Sequence, residues 1–146
     1  MKNIFRNAAV LLLICNCFIL TAQTKKEMLI GSWVFDFEKA TENMDIKAKE
    51  VLVKIPSAQN DLKKSYLNRR IVFSNDGNYV LLLADGNQTT GKWMFNNASE
   101  DSLTLTISEK AGNFDLILLS SSSLILKLRN QGSGKPMFSQ WYFTKI

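Results

Sequence analysis

The residues able to do chemistry in this chain are few, and the missing types are informative. There is no histidine, and the only two cysteines, Cys15 and Cys17, sit in an apolar run near the N-terminus. With no His, and with both cysteines in a segment that reads as removed on export, zinc and copper lose their usual ligands, and the commonest general base is absent. Glu100-Asp101 is an acidic pair at a turn, well short of the six or more oxygens that calcium takes. Ser120–Ser123 is a serine cluster with no imidazole to activate it, so it reads as a turn. Asp76 and Asp85 each precede a glycine and are accounted for by turn chemistry. Acid–base work would fall to carboxylates, Lys and Tyr alone. These residues point to a protein that is not an enzyme and that uses no metal or cofactor.

What remains is a set of aromatic and aliphatic side chains on regular spacing. In Gly31-Ser32-Trp33-Val34-Phe35-Asp36-Phe37, the rings of Trp33, Phe35 and Phe37 share one parity, the pattern of a half-buried strand over 31–37. From residue 69 onward the same alternation returns in short runs: 70–74, 78–84, 89–95, 102–108, 113–120, 123–129 and 138–145. Asp76-Gly77 and Asp85-Gly86 between such runs are strong hairpin signals, because glycine reaches the positive φ that tight turns demand. The other breaks fall at Asn96-Asn97, at 109–112, at Ser121-Ser122 and in the loose 130–136 segment. Inward parity falls on Ile71 and Phe73; Tyr79, Leu81 and Leu83; Trp93 and Phe95; Leu103, Leu105 and Ile107; Phe114, Leu116 and Leu118; Leu124, Leu126 and Leu128; Trp141 and Phe143. Outward parity falls on Lys92, Thr104, Asp115, Lys127 and Arg129, and also on Ile117, Leu119 and Ile125.

Eight strands with short connections make an antiparallel meander, and one apolar face is buried most simply by closing the sheet. The expected fold is therefore mainly β: an eight-stranded up-and-down antiparallel barrel. Two short helices are inserted after the first strand. Met44, Ala48, Val51, Leu52 and Ile55 recur at helical spacing, capped near Asn43 or Asp45 and stopped by Pro56. Ser57 is placed to cap a second helix, with Leu62 and Tyr66 four residues apart. The pair would lid one end of the barrel or cover apolar residues on its wall.

The first 22 residues read as an address. Lys2 and Arg6 precede an apolar run over 8–20 and then small or polar residues, the pattern of a secretory signal peptide with cleavage after Ala22. The run is too short for a stable membrane span. A lipoprotein signal through Cys17 or Cys15 is the alternative, although neither cysteine has a small residue before it. Residues 23–146 then form one domain, exported to the periplasm or the exterior. The chain has 18 basic and 13 acidic residues, a formal net charge of +5. Its cations are scattered rather than gathered into an aromatic-interleaved stripe, so a nucleic-acid partner is not indicated.

Gly31-Ser32-Trp33 on the first strand, after the lead-in of residues 26–30, resembles the Gly-x-Trp start of lipocalins. A second Gly-x-Trp at Gly91-Lys92-Trp93, the Asp-Gly hairpins and the terminal Trp141-Tyr142-Phe143-Thr144-Lys145 extend the likeness to small lipocalin-like domains of bacterial secreted proteins, over roughly residues 27–146. The resemblance implies a barrel that holds a small ligand; no position read as deep inside the barrel is charged, so that ligand would be mostly apolar and neutral, with any charge left at the rim. Two features depart from it. The helices follow the first strand rather than the last, and Arg129, the late basic residue that would cover the first Trp, has outward parity.

An eight-stranded barrel is either filled by its own side chains or just wide enough for one small ligand. The aromatic residues suit both states. If a pocket exists, Trp33, Phe35, Phe73, Tyr79, Trp93 and Trp141 would line it, and Thr89 or Ser139 would orient the ligand. If the barrel is solid, its outer face or its helices would meet a protein partner.

Overall fold

The computed structural model describes residues 23–129 and 137–146. The expected signal peptide, both cysteines and the 130–136 connection lie outside the described residues. The element order is α1 (Lys25–Leu29), β1 (Gly31–Phe35), α2 (Phe37–Glu42), α3 (Ile46–Lys54), α4 (Pro56–Tyr66), β2 (Arg70–Phe73), β3 (Asn78–Leu82), β4 (Gln88–Phe95), β5 (Ser102–Ile107), β6 (Lys110–Leu119), β7 (Ser123–Leu128) and β8 (Trp141–Lys145). The eight strands pair in sequence order and close into a barrel. Closure sets β8 antiparallel to β1, with Trp33 opposite Lys145 and Phe35 opposite Phe143. The expected architecture is thus present. Among the described residues no helix is long and apolar enough to cross a membrane.

The local differences have identifiable causes. The first strand stops at Phe35 because the Asp36 carboxylate accepts the Lys39 amide at 3.0 Å and caps α2. Phe37 therefore opens a helix instead of extending the strand, and three helices, not two, join β1 to β2. Asp45 caps α3 by accepting the Lys47 amide at 3.0 Å. Pro56 does not merely end α3: it is the first residue of α4, where its missing N–H costs nothing. Ile55, not Ser57, occupies the cap position.

Two changes in β6 bear on the barrel interior. The expected 109–112 loop is a two-residue turn, Ser108-Glu109, with Ser108 at φ 53°, so Lys110, Ala111 and Gly112 join the strand. Near the other end, an irregularity between Leu116 and Leu118 shifts the register. One extra residue reverses the facing of everything beyond it. Leu119 therefore pairs with the buried Leu124, while Leu118 lies opposite Ile125 and is 44% exposed. The inward reading of Leu118 and the outward reading of Leu119 are both overturned.

One barrel end is sealed by α1. Thr24 and Glu27 form a reciprocal capping box, Glu27 N–H to Thr24 Oγ1 at 3.2 Å and Thr24 N–H to Glu27 Oε2 at 3.0 Å. Lys25 Nζ reaches across to the carbonyls of Ser99 (2.6 Å) and Glu100 (3.3 Å). Leu29 is fully buried, and the Trp33 indole N–H donates to its carbonyl at 2.7 Å. Lys145 then covers this joint, with Nζ 5.0 Å from the Trp33 ring centroid and donating to Met28 O at 2.6 Å. Gly31 lies beneath the Lys145 stem. Its φ is +129°, and a Cβ there would come within 2.8 Å of Lys145 Cε, so both backbone and space call for glycine.

The hairpin turns are held by carboxylates. Asp76 accepts from the Asn78 amide (3.0 Å) and side chain (2.7 Å); Asp85 does the same with Asn87 at 3.0 and 2.8 Å. These bonds to the charged form hold both carboxyls below the ordinary 3.8, and the Asn97 side chain does so for Asp101. A carboxyl with a lowered folded-state pKa stabilises the fold above its unfolded value and loses that effect as pH falls through the folded one. Urea midpoints should therefore be flat from about pH 7 to 5 and fall below about pH 4. The fall should be shallower in the D76N/D85N double variant. An unchanged acid limb in that variant would remove these turns from the account.

Candidate ligand-binding site

At the end opposite α1 the barrel is not filled. A cavity of about 330 Å³ opens there, walled by Ile71, Leu81, Leu105, Phe114, Leu126 and Phe143. Its volume follows from where large and small inward residues fall. Trp33, Phe73 and Trp93 crowd the sealed half, with Trp93 edge-on to Phe73 and Phe95 at 5.8 and 5.7 Å. Toward the mouth, β6 turns Gly112 inward where a large side chain would close the space. Tyr79 forms the floor, and its ring is seated on Gly91. A Cβ on Gly91 would lie 2.7 Å from Tyr79 Cε1 and Cζ. The glycine of the second Gly-x-Trp thus makes room for the floor of the cavity.

Of the residues expected to line a pocket, Tyr79 and Trp141 do so. Trp33, Phe35, Phe73 and Trp93 are buried core, at 0, 4, 1 and 6% exposure, and none lies on the cavity surface. Trp93 spends its indole N–H on the Ser74 carbonyl at 3.0 Å. Phe35 belongs to a cluster beside the mouth with Tyr66, Phe138 and Phe143, ring centroids 5.3 to 5.6 Å away. Thr89 is half-buried opposite Leu81, outside the cavity lining. Ser139 precedes β8 and is half-buried, also away from the lining; the adjacent Phe138 takes the interior position at 2% exposure.

Two lining residues not anticipated in the sequence carry charge, Arg69 and Lys110. Arg69 shares the parity of Ile71 and Phe73, and its carbonyl accepts the Phe35 amide at 2.8 Å, continuing the β1–β2 ladder. Its position one residue ahead of the expected strand concealed it. Lys110 shares the parity of Gly112 and Phe114 and was hidden in the expected loop. Both stand at the open end, on either side of an apolar wall. The Tyr79 hydroxyl has its pKa raised by burial, so it stays a neutral hydrogen-bonding group at physiological pH.

A larger groove of about 780 Å³ runs between β1, α2 and α4, past Phe37, Glu42 and Lys63. It is a surface trough of mixed polarity. The barrel cavity is the better-formed site because its wall is apolar and its charged groups stand at the mouth.

Compared with known proteins, the chain matches no family model, no curated protein and no solved structure.

Proposed function

We propose that this is a secreted or periplasmic lipocalin-like protein that binds a small, mostly apolar ligand without catalysis. The observation that carries the reading is the apolar-walled cavity of about 330 Å³ inside the barrel, within the range that small-molecule sites occupy. The absence of histidine from the chain, and of any carboxylate from the cavity lining among the described residues, supports binding rather than turnover. Export is supported by the basic, then apolar, then small-residue pattern of the first 22 residues.

The test is native mass spectrometry of the protein purified from its own host, before and after solvent extraction. A mass excess removed by extraction is the expected result, and Trp141, on the cavity wall, should report refilling as a shift in emission. A bare mass with no response to any apolar probe would overturn the reading, as would turnover of a chromogenic ester at an ordinary enzymatic rate.

A second reading has one observation in its favour. Ile117 and Leu118 are 49 and 44% exposed on the outer face of β6. They suit an interaction or cell-envelope structural module that meets its partner through the barrel wall. A cavity that stays empty, together with loss of a partner on I117S/L118S substitution, would favour it.

A further inference from the structure

Resting on the ligand-binding reading, we infer that the occupant of the cavity is an amphiphile: an apolar tail inside the barrel and a carboxylate at the mouth held by Arg69 and Lys110. Among the described residues, the cavity lining contains two cations and no Asp or Glu. The ion pairs among the described residues are Lys39–Asp36 and Arg129–Asp115, so neither rim cation is neutralised by a side chain there.

Arg69 is held in place before any ligand arrives. Its Cζ lies 4.1 Å over the Tyr66 ring, and Nη2 donates to the Ser65 carbonyl at 3.2 Å. Its Nε is buried and has no hydrogen-bond partner. A guanidinium at the edge of an apolar cavity is favoured by an anion brought within reach of its remaining donors. The planar fork of donors matches a carboxylate in two-point contact. Asp85 feels the Arg69 charge, which helps hold its carboxyl low, but its oxygens bond the Asn87 amide and side chain and it forms no ion pair with Arg69. Lys110 is exposed and long enough to follow a headgroup that moves in the mouth.

The tail is bounded by the cavity. At about 330 Å³ it is roughly twice the ~150 Å³ that accepts one benzene, which leaves room for on the order of a dozen carbons. A medium-chain carboxylate fits those terms; a sterol-sized body does not.

The experiment is isothermal titration of the purified protein with dodecanoate, dodecanol and dodecyltrimethylammonium, each below its micelle concentration. The chains are equal and only the head differs. Dodecanoate should bind about tenfold more tightly than dodecanol, as one charge-assisted contact provides, with the cation weakest. R69Q should reduce that preference, read as the ratio of the two affinities within the same variant, to about threefold or less. K110Q, on an exposed side chain, should reduce it in part and serves if R69Q does not fold. Equal binding of the acid and the alcohol, or a preference that survives both substitutions, would overturn the headgroup assignment and leave the cavity reading standing. Binding of none of the three would overturn both.

Discussion

Trp33→Ala should cost about 3–5 kcal/mol of stability, the range for removing a buried aromatic ring from a packed core. The ring is fully buried, so its loss leaves a void that the closed barrel cannot collapse to fill. The substitution also strands the Leu29 carbonyl, which accepts the indole N–H at 2.7 Å, and removes the surface on which Lys145 rests. Trp33→Phe separates these contributions. It keeps most of the apolar volume and loses the donor, and should cost about 1–3 kcal/mol, the penalty of an unsatisfied buried acceptor plus slight underpacking. Equilibrium urea denaturation of both variants measures the difference. An alanine variant within about 1 kcal/mol of the parent would mean that α1 and Trp33 do not seal the barrel as a unit.

Phe138→Ala should be comparably severe, about 3–5 kcal/mol, although the residue belongs to no strand. Its ring lies 5.0 Å from Tyr66, 5.5 Å from Phe35 and 6.2 Å from Phe37, joining α4, β1 and α2 to the segment leading into β8. Phe35 also meets Tyr66 directly, at 5.3 Å, so Phe138 is the third ring of the joint between α4 and the barrel. The loss should therefore be uneven: amide hydrogen exchange in α4 near Ser65 and Tyr66 should accelerate well before that in β5 and β6. Uniform acceleration across all strands would show that the helices are not a separately opening unit. Because Tyr66 also carries Arg69, the same variant should weaken any preference for an anionic headgroup.

Much of this molecule is legible from residue types. The strand order and nearly every inward side chain follow from alternation with period two, and the Asp-Gly turns place the ends of two hairpins to within two residues. What escaped has a common physical character: single residues that switch the local pattern. Asp36, read as a polar residue on a strand, is a helix cap and takes Phe37 out of the sheet. One extra residue near Ile117 reverses Leu118 and Leu119, and no composition signal marks it. The capping box of Thr24 and Glu27 was visible as a Thr-x-x-Glu pattern, yet five residues are too short for periodicity to announce a helix. Lys145 covers Trp33 from the adjacent strand, a role that parity correctly denied to Arg129, which pairs instead with Asp115 at 2.6 Å. The cavity was least legible. Aromatic content suggested a lining of rings, but the largest rings fill the sealed half and the space exists where glycine faces inward. That depends on which end each strand presents its small residues to, and no single strand carries that information.

The contact between Lys145 and the Met28 carbonyl joins positions 117 residues apart. It belongs to the same seam as the β1–β8 pairing, so the last strand to leave the ribosome is the one that completes the wall. Until it is made, β1 and β7 are both unpaired edges, and the nascent chain is an open sheet with its future interior wet. Partial synthesis therefore gives no partial barrel: the first strand must wait for the last. Such long-range closure is slow compared with hairpin formation. During that interval the apolar face of the sheet and both of its edges are open to other chains.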